Sequence, residues 1–178
     1  MGAGHGVRTV ELICDHALDG AVRAVWRRLA AAGLPSLATH PHPTNRPHLT
    51  VATADELPPG PVAAALEHLP IGVRLDGVIF FEGRTGMAAW RVHPDAALFR
   101  LHADVWRAID GRERNPLHAP EAWVPHVSLA RRVRPEHRAA VRDVVDDLVA
   151  GGLVAQGRFV AARSYDTTTR TVTDLPAG

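Results

Sequence analysis

Two short segments hold the residues best suited to chemistry. Residues 47–52 read PHLTVA and residues 125–130 read PHVSLA, so one pattern, Pro-His-[LV]-[ST]-[VL]-Ala, occurs once in each half of the chain. With 11 histidines present, a lone His-x-Thr/Ser tripeptide says little; His42-Pro43-Thr44 is such a match, with proline between its members. The information lies in six residues recurring around an apolar stretch. Residues i and i+2 of a strand share a face, so His48 and Thr50 point one way, about 7 Å apart along the backbone, as do His126 and Ser128. Leu49, Val51, Val127 and Leu129 then face a core. Two such strands related by a dyad aim two imidazoles and two hydroxyls into one groove. Imidazole titrates near pH 6.5, so one ring can take a proton while the other gives one. That set suits phosphodiester cleavage. A base deprotonates water, an acid protonates the departing sugar oxygen, and two hydroxyls donate to the non-bridging oxygens as charge builds. The scheme requires no metal.

The elements that must position these residues follow from periodicity and punctuation. Val7–Cys14 reads as a strand, and Asp15 or Asp19 caps a helix with Leu18, Val22, Val25 and Leu29 on one face, stopped by Gly33 and Pro35. After a polar, proline-rich loop, His48–Ala52 is a strand. Pro58–Leu69 is a short helix, and Ile71–Phe81 is a strand with Gly77 at a bulge. The order then repeats: strand Met87–Val92, a helix opened by Pro94 and Asp95 and ended by Gly111, the strand around WVPHVSLA, and a helix from Pro135 to Gly151. Strands near Val154–Tyr165 and Thr168–Thr173 finish the chain. Ala17 precedes His48 by 48 − 17 = 31 residues, and Asp95 precedes His126 by 126 − 95 = 31. This predicts one bilobal domain over residues 1–178, built by internal duplication of roughly 7–83 and 84–175.

Composition narrows the function further. The chain has 178 residues, 46% hydrophobic and 22% charged, enough for a core, and no apolar run nears the roughly 20 residues of a membrane span. MGAGHGVR lacks an apolar signal region and Cys14 is the single cysteine, which points to the cytoplasm and excludes a disulfide framework. All 20 basic residues are arginine; against 19 acids the net charge is +1. That excludes electrostatic coating of long duplexes and favours short ends or mononucleotides over long RNA; no membrane partner is expected, and the chain is expected to be a monomer. No GxxxxGK[ST] or GxGxxG occurs, so ATP-driven ligation is not supported. Gly2, Gly4 and Gly6 read as a flexible start, and His5 and His118 as exposed.

Further candidates flank the two segments. Arg46 precedes Pro47, and Arg131 and Arg132 follow the second segment; strict alternation places Arg132 on the His126 face. Glu11 lies on the polar side of the first strand. Aromatic residues total only 5%, and Trp123, two residues before Pro125, is the choice for a ring lining the cleft and stacking on a base. A rival reading takes His40, His42 and His48, with Asp55 and Glu56, as a zinc site. Its intervening prolines and lack of helical ligand spacing weigh against it, so no metal or other cofactor is expected.

The paired segments resemble the signature of the 2H phosphoesterase superfamily, in particular its bacterial 2′-5′ RNA ligase branch. The opening VELICD strand, AAGLPS at the end of the first helix, the NRPHLT entry and the closing TRTVT strand extend the resemblance over nearly the whole chain. It implies a duplicated bilobal α+β fold, two antiparallel sheets with outer helices around a central cleft. It also implies metal-independent opening of 2′,3′-cyclic phosphates to 2′-phosphates, in some members with 2′-5′ joining of RNA. On this resemblance His48 is the acid, His126 the base, and Thr50 and Ser128 hold phosphate. Arg131, five residues after His126, stands where such members often carry a phosphate-contacting arginine. Residue types alone leave the acid and base interchangeable, and a non-catalytic nucleotide or RNA-end binding module on the same fold is the competing reading.

Overall fold

The computed structural model describes residues 6–83, 86–93 and 95–176. Gly2, Gly4, His5 and Pro94 lie outside them. The chain runs β1 (Arg8–Cys14), α1 (His16–Ala31), β2 (His48–Ala54), α2 (Pro59–Leu66), β3 (Ile71–Phe81), β4 (Met87–Val92), α3 (Ala96–Ala108), β5 (His126–Arg131), α4 (Arg138–Ala150), β6 (Gln156–Asp166) and β7 (Thr171–Leu175). All pairings are antiparallel, in the order β2-β1-β6-β3-β4-β5, with β7 on β6. The fold is α+β. Its two sheets meet at β3, which pairs with β6 through Ile71–Arg74 and with β4 from Leu75 to Phe81. The register slips between Leu75 and Val78, where Gly77 takes φ +75, a left-handed angle that glycine adopts without strain.

Local chemistry sets the helix starts. Asp15 Oδ1 accepts from Leu18 N at 2.8 Å, capping α1, while its Oδ2 accepts from Arg158 N at 2.8 Å and ties the helix to β6. A side chain at Gly157 would meet Asp15 Oδ1 at 2.7 Å, so this close approach of strand and helix requires glycine. Asp95 caps α3 through Ala97 N. Leu18, Val22, Val25 and Leu29 of α1, and Leu98, Leu101 and Val105 of α3, are fully buried against the inward residues of the sheet. The helix α1 packs on β5 as well as on β1 and β6, and α3 packs on β2, so each of these helices braces the motif strand of the other half.

The first and second sets of five elements share one order, β-α-β-α-β. His126 follows His48 by 126 − 48 = 78 residues, and their partners Ile13 and Arg91 differ by the same 91 − 13 = 78. Between the capping aspartates and the histidines the spacings are 48 − 15 = 33 and 126 − 95 = 31, so strand register carries the repeat, not the helix caps.

Candidate functional site

The edge strands β2 and β5 lie side by side without pairing in the sheet, and their polar faces open onto a cleft. Each strand carries a bulge at the same place. On β2, Val10 faces Ala52 and Glu11 faces Thr50, leaving Val51 extra; on β5, Ala88 faces Ala130 and Ala89 faces Ser128, leaving Leu129 extra. The extra residue inverts the alternation beyond it. Arg131 therefore joins His126 and Ser128 on the cleft face, whereas Arg132 turns away in a left-handed conformation (φ 59). The expectation of Arg132 on the His126 face fails for this reason.

A cavity of about 560 Å³ fills the cleft, and among its walls are Glu11, Arg46, His48, Thr50, Ser128 and Arg131. His126 stands just outside this lining with its ring against Phe81, centroids 4.6 Å apart. Both motif histidines are oriented alike. His48 Nδ1 donates to Arg46 O at 2.7 Å and His126 Nδ1 to Val124 O at 2.7 Å. A carbonyl only accepts, so in each neutral ring Nδ1 carries the hydrogen and Nε2 is left as the atom that exchanges a proton. Burial holds His126 below the ordinary imidazole range, against the bond to Val124 O, and the facing charge of His48 lowers it further. His48 Nε2 lies 3.6 Å from Glu11 Oε1.

Glu11 is buried and paired with Arg163, Nε to Oε2 at 2.8 Å, and its Oε1 accepts from Thr9 Oγ1 at 2.9 Å. Sequence reading missed Arg163. Its register opposite Glu11 on β1 makes the pair, and nothing in the sequence reveals that β6 lies beside β1. Arg46 lies 3.5 Å from Asp19. Ser128 Oγ has only a weak acceptor, Met87 Sδ at 3.5 Å, and is readily redirected to a ligand. Cys14 is buried and its thiol is pushed up to about 12, by burial first and then by Asp19 and Asp15, so it is no nucleophile.

Trp123 is not a cleft ring. It is buried, stacked on His102 (3.9 Å between centroids, 3° between planes), and its Nε1 donates to Thr50 O at 3.0 Å. Trp26 of α1 does the reciprocal, donating to Ser128 O at 3.0 Å. The indoles occupy backbone acceptors on the motif strands, which carry no sheet partner on one edge. The aromatic residues that do line the cavity are Trp26 and Tyr165, the latter edge-on to His42. His118 is not exposed as expected. It is half-buried, its Nδ1 has no partner among the described residues, and its pKa falls to about 4, chiefly through burial, with the charges of His102 and His126 adding. His40 and His42 line the cavity, but the described residues contain no group of three or more His, Cys, Asp or Glu placed to hold a metal ion.

An α+β fold in which two His-x-Thr/Ser strands meet across a cleft is that of a 2H phosphoesterase. The chain belongs to the 2′-5′ RNA ligase superfamily, whose family model matches residues 18–156. Among solved structures it is similar to Usb1 of Kluyveromyces marxianus, at 14% identity and a TM-score of 0.57 over 98% of this chain and 100% of that one. The same protein solved with uridine monophosphate matches at 14% identity and a TM-score of 0.57, over 96% and 98%. These two likenesses bear on the fold. No match was found among curated proteins. No described helix is long and apolar enough to cross a membrane.

Proposed function

We propose that the protein is a metal-independent phosphoesterase that opens 2′,3′-cyclic phosphate ends of RNA or nucleotides to 2′-phosphates. The carrying observation is the matched Nδ1-to-carbonyl bond on each motif histidine, which leaves both Nε2 atoms for the substrate. His126, which burial keeps neutral, takes a proton from water through Nε2 as the water oxygen bonds to phosphorus. The bond from phosphorus to O3′ breaks, and protonated His48, with the Glu11 carboxylate beside it, gives its proton to O3′. Thr50, Ser128 and Arg131 donate to the non-bridging oxygens of the pentacovalent state. Exchange with solvent restores both rings. With an RNA 5′-hydroxyl in place of water, the same proton transfers make a 2′-5′ bond. The repeated element order and the bulge shared by β2 and β5 support descent of the two halves, 7–83 and 84–175, from one duplicated unit.

The test is hydrolysis of the four nucleoside 2′,3′-cyclic phosphates in excess chelator, comparing wild type with His48→Ala, His126→Ala, Arg131→Ala and Arg132→Ala. Each histidine variant should lose at least about 10²-fold in turnover, and Arg131→Ala should lose far more than Arg132→Ala. A 2′-phosphate product supports the assignment of O3′ as leaving group. Binding without turnover by the wild type would favour the nucleotide-binding module instead. Turnover insensitive to both histidine substitutions would remove the paired-histidine mechanism.

A further inference from the structure

The charges around the cleft are unevenly committed. Arg163 is neutralised by Glu11 and Arg46 leans on Asp19, while among the described residues Arg131 and Arg170 have no acidic partner. Arg131 stands beside Ser128, where the reacting phosphate sits. Arg170 enters the same cavity from elsewhere, the turn between β6 and β7. Strand register gives its place. Thr50, Glu11 and Arg163 form one row across the sheet, and Arg8 and Asp166 form the row three residues further on, so the turn begins about 10 Å further along the strands than Thr50 and two strands across from it, roughly 14 Å away. A group held there is separate from the one that reacts. His40, His42 and Tyr165 line this end of the cavity, and no carboxylate does so beyond Glu11.

Arg170 is also an outlier. Its φ of 57 puts a long side chain in the left-handed region, where glycine or asparagine serves a four-residue hairpin turn at lower cost. Asp166 Oδ1 accepts from Thr168 N and Thr169 N, holding the turn so that the unfavourable angle persists. A strained, unpaired cation aimed into a cleft suits a ligand anion better than it suits the turn.

We propose that the hairpin end of the cleft is a second phosphate subsite, in which Arg170 takes a phosphate group that the substrate carries in addition to the reacting one. The inference rests on the paired-histidine reading and narrows its substrate class to a 2′,3′-cyclic phosphate bearing a further phosphate. That group is either a 5′-monoester on the same nucleoside or the phosphodiester of a preceding nucleotide.

The experiment measures kcat/KM for uridine 2′,3′-cyclic phosphate, its 5′-phosphorylated form and the dinucleotide UpU ending in a 2′,3′-cyclic phosphate, with wild type, Arg170→Gly and Arg170→Asn. At least one doubly phosphorylated substrate should be preferred by about 10- to 100-fold, as a charge-assisted contact gives, and both variants should bring that ratio towards one. Preference for the 5′-phosphorylated nucleoside alone assigns the subsite to a monoester; preference for the dinucleotide alone assigns it to an RNA end. Because glycine and asparagine relieve the turn, both variants should also melt higher than wild type, by roughly 2–4 °C, so loss of preference is not loss of fold. Equal kcat/KM for all three substrates, or a preference that survives in both variants, overturns the subsite. If no substrate turns over, the paired-histidine reading has failed, and calorimetry decides the subsite by itself. Uridine 2′,5′-bisphosphate must then bind more tightly than uridine 2′-monophosphate in wild type and not in the variants, and the reverse overturns it.

Discussion

Replacing Trp26 or Trp123 by phenylalanine tests whether the reciprocal indole bonds set the distance between the two motif strands. Each indole is nearly buried, at 3% and 6% exposure, and each N–H donates at 3.0 Å to the carbonyl of a hydroxyl-bearing residue in the opposite half. Phenylalanine keeps the ring and removes the donor, leaving Ser128 O or Thr50 O without its partner. That costs about 1–3 kcal/mol. For a chain of this length it corresponds to a fall in Tm of roughly 4–8 °C at the centre of that range. The carbonyls belong to the residues whose hydroxyls are proposed to hold the phosphate, so on that reading a strand shift towards 1 Å reaches the reacting atoms and can lower kcat by up to about 10²-fold. KM for a small cyclic phosphate should move much less, because the contacts that bind it remain. The double variant should lose less activity than the product of the two single losses, since both indoles brace the same gap. Thermal melts and steady-state kinetics on the four proteins suffice. A kcat within twofold of wild type in both single variants, with Tm lowered as expected, would show that the indoles stabilise the fold without positioning the site.

Two predictions concern pH. His126 is held below the ordinary imidazole value and must be neutral to act as base, so kcat/KM should rise with pH through a midpoint under about 6.5. Activity that instead falls as pH rises through such a midpoint would reverse the acid and base assignments. His118 has its pKa lowered to about 4 in the folded chain, so stability is full above about 6.5 and is lost as pH falls towards 4, by up to about 3 kcal/mol. His118→Gln should flatten Tm against pH over that window, and an unchanged slope would locate the acid lability elsewhere.

Much of the architecture was legible because its signals are local. The segments Ile71–Phe81 and Met87–Val92 read as strands with the bounds that β3 and β4 show, and Asp15, Asp95 and the apolar periodicity mark α1 and α3. What escaped depended on register between distant segments. The two bulges decide between Arg131 and Arg132, and a bulge leaves no mark in PHVSLA, where strict alternation is the natural reading. Trp123 was misplaced for a related reason. Its fate depends on Thr50 O and the flat face of His102, both brought to it by tertiary packing. Arg163 passed unremarked because pairing with Glu11 spans 152 residues.

That span has a consequence for how the chain reaches this state. Strand β6 lies between β1, near the start, and β3, near the middle, and it joins the sheet of the first half to that of the second. Until β6 has left the ribosome, β1 has one open edge and so does the first part of β3. Closing the long loop from Glu11 to Arg163 costs entropy before any pairing offsets it, so the search for this register should dominate the folding time. A nascent chain waiting for β6 presents two unpaired, largely apolar strand edges, and chain ends that stop before Gln156 should aggregate rather than form a smaller stable domain.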